Sequence, residues 1–193
     1  MGVRSAGDVV AEVTVRPQVP MGAFHALGYV CAMGAVEGLR AAGIEFAAIG
    51  WPQSVVDART YRPLFELRLH AGYNKGMFAT CTVVAAQQVG LLRDRSDDEL
   101  TQALEAGVVK RVASWEQQIN AGAGAAGPLA PVLSEYFDLV PLLGKPAAAV
   151  YPNGNVMARG TFAGIDIWGR ATLVTEDGHE VEFSPEQAGI RPA

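Results

Sequence analysis

The sequence predicts an α/β chain in two parts: a main domain of sheet and packed helices over residues 1–143, and a small all-β barrel over residues 144–193. Three observations lead there. Residues 8–16 and 64–70 alternate apolar and polar side chains, the mark of half-buried strands. Residues 21–42, and the stretch that starts at Ser96, carry apolar residues three and four apart, which is the helical period. From Lys145 onward, turn residues recur every eight to twelve positions or so, the density expected of a small barrel.

The elements follow in order. Val9, Ala11, Val13 and Val15 share one face of the first strand, and Glu12, Thr14 and Arg16 the other. Pro17 and Pro20 end it, and Pro20 suits the first turn of a helix. Phe24, Leu27, Cys31, Ala35 and Leu39 mark the buried stripe of that helix. Its Gly22, Gly28, Gly34 and Gly38 each cost about 1 kcal/mol against Ala, so so many together imply close packing against a sheet. Gly43 closes it as a C-cap. His25 has no His or acid at a partnering spacing and reads as a helix-face residue.

Residues 44–57 form the centre of the chain. Phe46–Ile49 reads as a buried strand, Gly50 breaks it, Trp51-Pro52 makes a stiff corner, and Val55-Val56 resumes an extended chain. On spacing alone this is a strand-to-loop turn anchored by a buried Trp. Residues 64–70 and 77–86 then form a hairpin with a five- or six-residue loop at 71–76. That loop holds glycines beside Lys75 but has no helix behind it, so it reads as a plain hairpin tip.

Ser96-Asp97-Asp98-Glu99 is a capping box with acids in the first turn. Leu100, Leu104, Val108, Val112, Trp115 and Ile119 make the apolar stripe behind it. Residues 121–127, Ala-Gly-Ala-Gly-Ala-Ala-Gly, read as a flexible connection. A short helix over 130–140 and strands at 146–151, 156–164, 171–175 and 181–184 complete the chain.

Composition excludes several classes of function. Half of the 193 residues are apolar and 18% are charged, so the chain is globular. A net charge of −5 argues against nucleic acid and anionic membranes as partners. Cys31 and Cys81 sit in apolar segments and read as two buried thiols. Three His, two Cys and no clustered carboxylates support no metal site. With no secretory signal and no apolar run of about 18 residues, a soluble cytoplasmic protein is expected.

The order of strand, helix, strand, Trp-Pro corner, hairpin, capped helix and small barrel resembles the catalytic and C-terminal domains of the biotin–protein ligases. The C-terminal module is similar to that family's SH3-like domain through Leu143-Gly144-Lys145, Gly160, Gly164-Ile165-Asp166, Leu173, Gly178 and Ile190-Arg191. Trp51-Pro52 falls where the family has Lys-Trp-Pro-Asn-Asp. The resemblance implies a biotin/lipoate ligase-like mixed sheet over 1–143 and an SH3-like barrel over 144–193.

The departures are as informative. The family's Ser/Thr-Asn pair and Gly-Arg-Gly-Arg loop, placed upstream of the strand at 8–16, have no counterpart here, so the resemblance implies a degenerate form lacking the N-terminal part of the catalytic domain. The flanking Lys is Gly50 and the Asn-Asp pair is Gln53-Ser54. The position that best matches the family's catalytic Lys is Arg62, and the Gly-x-Gly-x-Asn stretch reads Val84-Ala85-Ala86-Gln87-Gln88. The resemblance thus makes Arg62 the candidate catalytic residue, and Trp51, Pro52, Gln53, Ser54, Ala85 and Ala86 a vestigial ligand site.

Forming an acyl-adenylate builds charge on phosphate that fixed donors must offset, and losing one such donor costs about 10²–10³ in rate. Several are altered at once. The expected role is a catalytically degenerate partner of a biotin-accepting carrier protein or of a complementary ligase subunit. The alternative is an active biotin–(carboxyl carrier) protein ligase with rearranged site residues, using biotin and ATP. A third class is a homodimer paired through a sheet edge.

Overall fold

The computed structural model describes residues 5–86 and 89–193. Strand β1 (Val9–Val15) leads through a 3₁₀ turn (Met21–Ala26) into helix α1 (Leu27–Ala41). Strands β2 (Ala47–Gly50), β3 (Ser54–Asp57), β4 (Pro63–Tyr73) and β5 (Met77–Ala85) follow, and then helices α2 (Asp97–Asn120) and α3 (Leu133–Asp138). The C-terminal part holds β6 (Pro146–Val150), β7 (Val156–Ile165), β8 (Ala171–Val174), β9 (Glu180–Phe183) and β10 (Gly189–Pro192).

The architecture is α+β. Strands β1–β5 form one sheet in the order β1-β5-β4-β3-β2, and every described pairing in it is antiparallel. This corrects the mixed sheet that the resemblance implied. The reason is local: β2 to β5 are joined by short loops, a connection open only to antiparallel neighbours. The second sheet runs β10-β6-β7-β8-β9, also antiparallel, with β10 and β9 at its two edges. Its described strands form an open sheet, not the closed barrel expected.

Several local expectations are refined by packing. Val9 is 63% exposed because the ladder shifts register between Val9 and Ala11, turning Val9 off the buried face. The β4–β5 ladder continues to Tyr73 opposite Met77, leaving a three-residue tip with Lys75 and Gly76 at positive φ. Residues 121–127 are a run of hydrogen-bonded turns, not a loose linker: Gly122 N donates to Ile119 O at 3.0 Å and Gly127 N to Gly124 O at 3.1 Å.

The two long helices cover one face of the first sheet. Gly43 follows α1 with φ +84, the left-handed conformation of a helix C′ residue. At the start of α2, Ser96 N donates to Glu99 Oε2 at 2.9 Å and Glu99 N to Ser96 Oγ at 3.2 Å, which completes the capping box. Gly34 and Gly38 of α1 meet α2, while Gly28 faces Gln53 at the β2–β3 tip. A methyl group at Gly34 would lie 2.6 Å from the Gly107 carbonyl oxygen, and one at Gly38 would overlap the Ala103 carbonyl. Backbone therefore packs on backbone along this helix pair.

The segment around α3 links strand β2 of the first sheet to the loop after β7. Ile49 N donates to Leu139 O at 2.8 Å, and Leu129 N to Ile167 O at 3.2 Å. Trp115 Nε1 donates to Pro128 O at 2.8 Å and holds the chain leaving α2. The Trp-Pro corner sits on this seam.

Candidate functional site at the Trp-Pro corner

The corner is the tip of the β2–β3 hairpin: Gly50 pairs with Ser54, and Trp51, Pro52 and Gln53 bridge them, with a cis Trp51–Pro52 peptide. Trp51 is 6% exposed and stands edge-on to Phe183, with ring centres 5.5 Å apart. Its Nε1 donates to Gly169 O at 3.2 Å, and Tyr29 Oη donates to the same carbonyl at 2.8 Å. Burial pushes the Tyr29 hydroxyl far above the usual phenol range, helped by the nearby carboxylates of Glu186 and Asp166, so it stays a protonated donor.

The side-chain donors of Trp51, Gln53 and Ser54 and the Pro52 carbonyl all have internal partners. Tyr136 Oη donates to Pro52 O at 2.9 Å. Gln53 Nε2 donates to Leu67 O at 3.2 Å, and its amide fills the space that a side chain at Gly28 would take. Ser54 Oγ donates to Gly50 O at 2.9 Å. A β-carbon at Gly50 would lie 2.5 Å from Ser54 Oγ and 2.6 Å from Val56 Cγ1. The place where the resemblance expects a lysine is thus occupied by the chain's own atoms.

The other candidates lie apart from one another. Arg62 is exposed on the β3–β4 loop; its carbonyl accepts from Asp57 N at 3.0 Å. Ala85 and Ala86 are buried at the end of β5, across β4 from the corner. Ala85 N donates to Asp8 O at 2.8 Å and Ala86 N to Leu64 O at 2.9 Å, so sheet bonds hold both amides. Gln87 and Gln88 lie outside the described residues. The structure therefore gathers Trp51, Pro52, Gln53 and Ser54 at one corner and separates Ala85 and Ala86 from it by a strand.

Two clefts flank the corner. One, of about 490 Å³, runs past His25, Gln53, Trp168, Arg170 and Glu186. The Arg170 guanidinium there is held by Asp166 at 2.8 Å and Glu182 at 3.5 Å. Burial acts against the Asp166 carboxylate, yet the bonds from Arg170 and the Trp168 amide keep it below the usual carboxylate range. The other is a cavity of about 240 Å³ between the two sheets, lined by Gly50, Trp51, Ser54, Tyr61, Phe162 and Arg191 among others. Sequence reasoning missed Tyr61, Phe162 and Arg191 because they come from separate segments that only the fold brings together. Tyr61 also adopts φ +56, a left-handed conformation that its residue type does not announce.

Among the described residues no group of three or more His, Cys, Asp or Glu is placed to hold a metal ion. No described helix is long and apolar enough to cross a membrane.

No protein-family model matches the chain, and no curated protein matches it in sequence. Solved structures do match. The biotin protein ligase from Aquifex aeolicus in complex with biotin and ATP superposes with a TM-score of 0.65 at 12% identity, over 94% of this chain and 77% of that one. The apo structure of that ligase gives 0.67 at 11% identity, over 94% of this chain and 81% of the other. The fold is that of the biotin protein ligases. At this identity the ligase likeness is one of backbone path, and the chemistry has to be read from the residues at the corner.

Proposed function

We propose that this chain is a catalytically degenerate biotin–protein ligase-fold protein that acts as a binding or assembly partner of a biotin-accepting protein or of a complementary ligase subunit. The ligase fold supports a ligase-related role. The observation that carries the loss of catalysis is the state of the corner. Trp51, Pro52, Gln53 and Ser54 each hold an internal hydrogen bond, and Gly50 leaves no room for a longer side chain without displacing Ser54 or Val56.

A site that makes an acyl-adenylate needs donors aimed at developing charge. Donors already paired with backbone carbonyls are not free to serve there. Arg62 is exposed, and a guanidinium does not replace a compact ammonium where a tight charge contact is required.

The test is an incubation with biotin, magnesium-ATP and a biotin-accepting carrier domain, following pyrophosphate release and acceptor labelling. The reading expects no pyrophosphate above the protein-free blank, together with measurable binding of the carrier domain or of a ligase subunit. Pyrophosphate release with labelling of the acceptor lysine would overturn it.

A further inference from the structure

The core between the first sheet and its helices holds a pair of groups that the corner does not use. Cys31 on α1 and Cys81 on β5 are the only cysteines of the chain, both are free thiols, and both are 0% exposed. Cys81 stands mid-sheet, opposite Val13 of β1 and Leu69 of β4. Ala79, Cys81 and Val83 are buried on the face of β5 against which α1 packs. There the Cys31 and Cys81 thiols hydrogen-bond to each other. A single buried thiol serves as a small apolar filler. Two that meet across a helix and a strand far apart in sequence already have the proximity that a disulfide needs.

Their surroundings decide which oxidant can act. The bond to Cys81, and then burial, hold the Cys31 thiol well above the usual thiol range, so its reactive thiolate is scarce in the closed core. Bulky thiols and disulfides are shut out by the same burial. A hydroperoxide is small enough to enter when the core opens briefly.

We propose that Cys31 and Cys81 form a redox-closed staple, oxidised by a hydroperoxide to a disulfide that ties α1 to β5. One thiolate attacks a peroxide oxygen: an S–O bond forms, the O–O bond breaks, and the leaving hydroxide takes up a proton as water. The second thiol then attacks the sulfenic sulfur: the S–S bond forms, the S–O bond breaks, and a second water leaves. The two sulfurs together give up two electrons, and the peroxide accepts both. The bond closes a ring that contains β2, β3 and β4, so oxidation would fix the strands that carry the Trp-Pro corner. This staple does not depend on the loss of catalysis, and its test uses neither biotin nor ATP.

The experiment treats the folded full chain with millimolar hydrogen peroxide and follows intact mass, free thiols counted in denaturant, and melting temperature. The mass should fall by two hydrogens, with both thiols lost together in a monomer. The melting temperature should rise by about 4 °C or more and return on reduction with dithiothreitol. Cys31→Ala and Cys81→Ala should each abolish the two-hydrogen loss and the melting shift. Should either variant fail to fold, a tryptic digest of the oxidised unmutated chain decides, since it should hold the peptides of residues 31 and 81 joined. Oxygen added at either sulfur in place of the two-hydrogen loss, a disulfide between two chains, a lowered melting temperature on oxidation, or two thiols intact after prolonged exposure would each overturn the proposal.

Discussion

The α1–α2 pair and the seam with the C-terminal sheet are held by two kinds of contact, and they differ in what they allow. Along α1 and α2, Gly34, Gly38 and Gly107 bring two backbones together until not even a methyl group fits. Along the seam with the C-terminal sheet, large aromatic rings and single hydrogen bonds to carbonyls do the holding, and a cavity of about 240 Å³ remains. Glycine contacts give close approach with little adaptability. Aromatic contacts give strong anchoring with space between the anchors. Open space is not confined to the seam, because a cleft of about 500 Å³ runs beside the helix pair past Glu37, Gly38, Arg95, Gly107 and Lys110.

The largest effect that tests this contrast is at Trp51. Trp51→Ala should cost about 3–5 kcal/mol in denaturant unfolding, as a large buried side chain is lost. Trp51→Phe should cost far less, because the ring against Phe183 is kept and Tyr29 still satisfies Gly169 O. Equal losses for the two variants would mean that the hydrogen bond, not the ring, anchors the seam.

On the helix side, Gly38→Ala should cost about 1–3 kcal/mol, since the added methyl meets backbone at Ala103. Gly22→Ala, with nothing near the added carbon, should instead be neutral or stabilise by up to about 1 kcal/mol. Similar melting shifts for both would show that the helix pair yields more easily than described.

A smaller effect should appear in acid. The native carboxyl of Asp166 lies below its ordinary value, so its contribution is present above about pH 3.9 and is lost as pH falls through the depressed native value. Because Asp166 accepts from the Trp168 and Arg170 amides, its protonation loosens the loop that carries Gly169. Asp166→Asn should flatten the acid limb of the stability curve, and an unchanged limb would assign acid sensitivity elsewhere. The smallest effect belongs to Arg62→Ala, expected within about ±0.5 kcal/mol because the side chain is exposed.

Much of the fold was legible because it is written locally. Alternation marked β1 and β4, and Ser96 with Glu99 announced α2 through side chains three residues apart. What stayed hidden depends on partners distant in sequence. The glycines of α1 announced close packing, expected against the sheet, but Gly34 and Gly38 pack on α2, because only the fold puts Gly107 opposite Gly34. β10 went unread because Gly-Ile-Arg-Pro is too short to alternate and is defined by its pairing with β6. At the site, the buried Trp51 was readable from residue type and context. The closure of Ser54 onto Gly50 was not, because it depends on hairpin register. The cavity was hidden for the same reason, its walls coming from β2, β3, β4, β7 and β10 and from the loops between.

The central claim is that the corner is structural and no longer receives a ligase substrate. Calorimetric titration of the full chain with biotin, alone and in the presence of magnesium-ATP, tests it most directly. The account predicts no binding heat at micromolar concentrations in either arm, since the corner donors of Trp51, Gln53 and Ser54 are already paired with backbone carbonyls. A micromolar dissociation constant, above all one that tightens with ATP and weakens on Arg62→Ala, would contradict it.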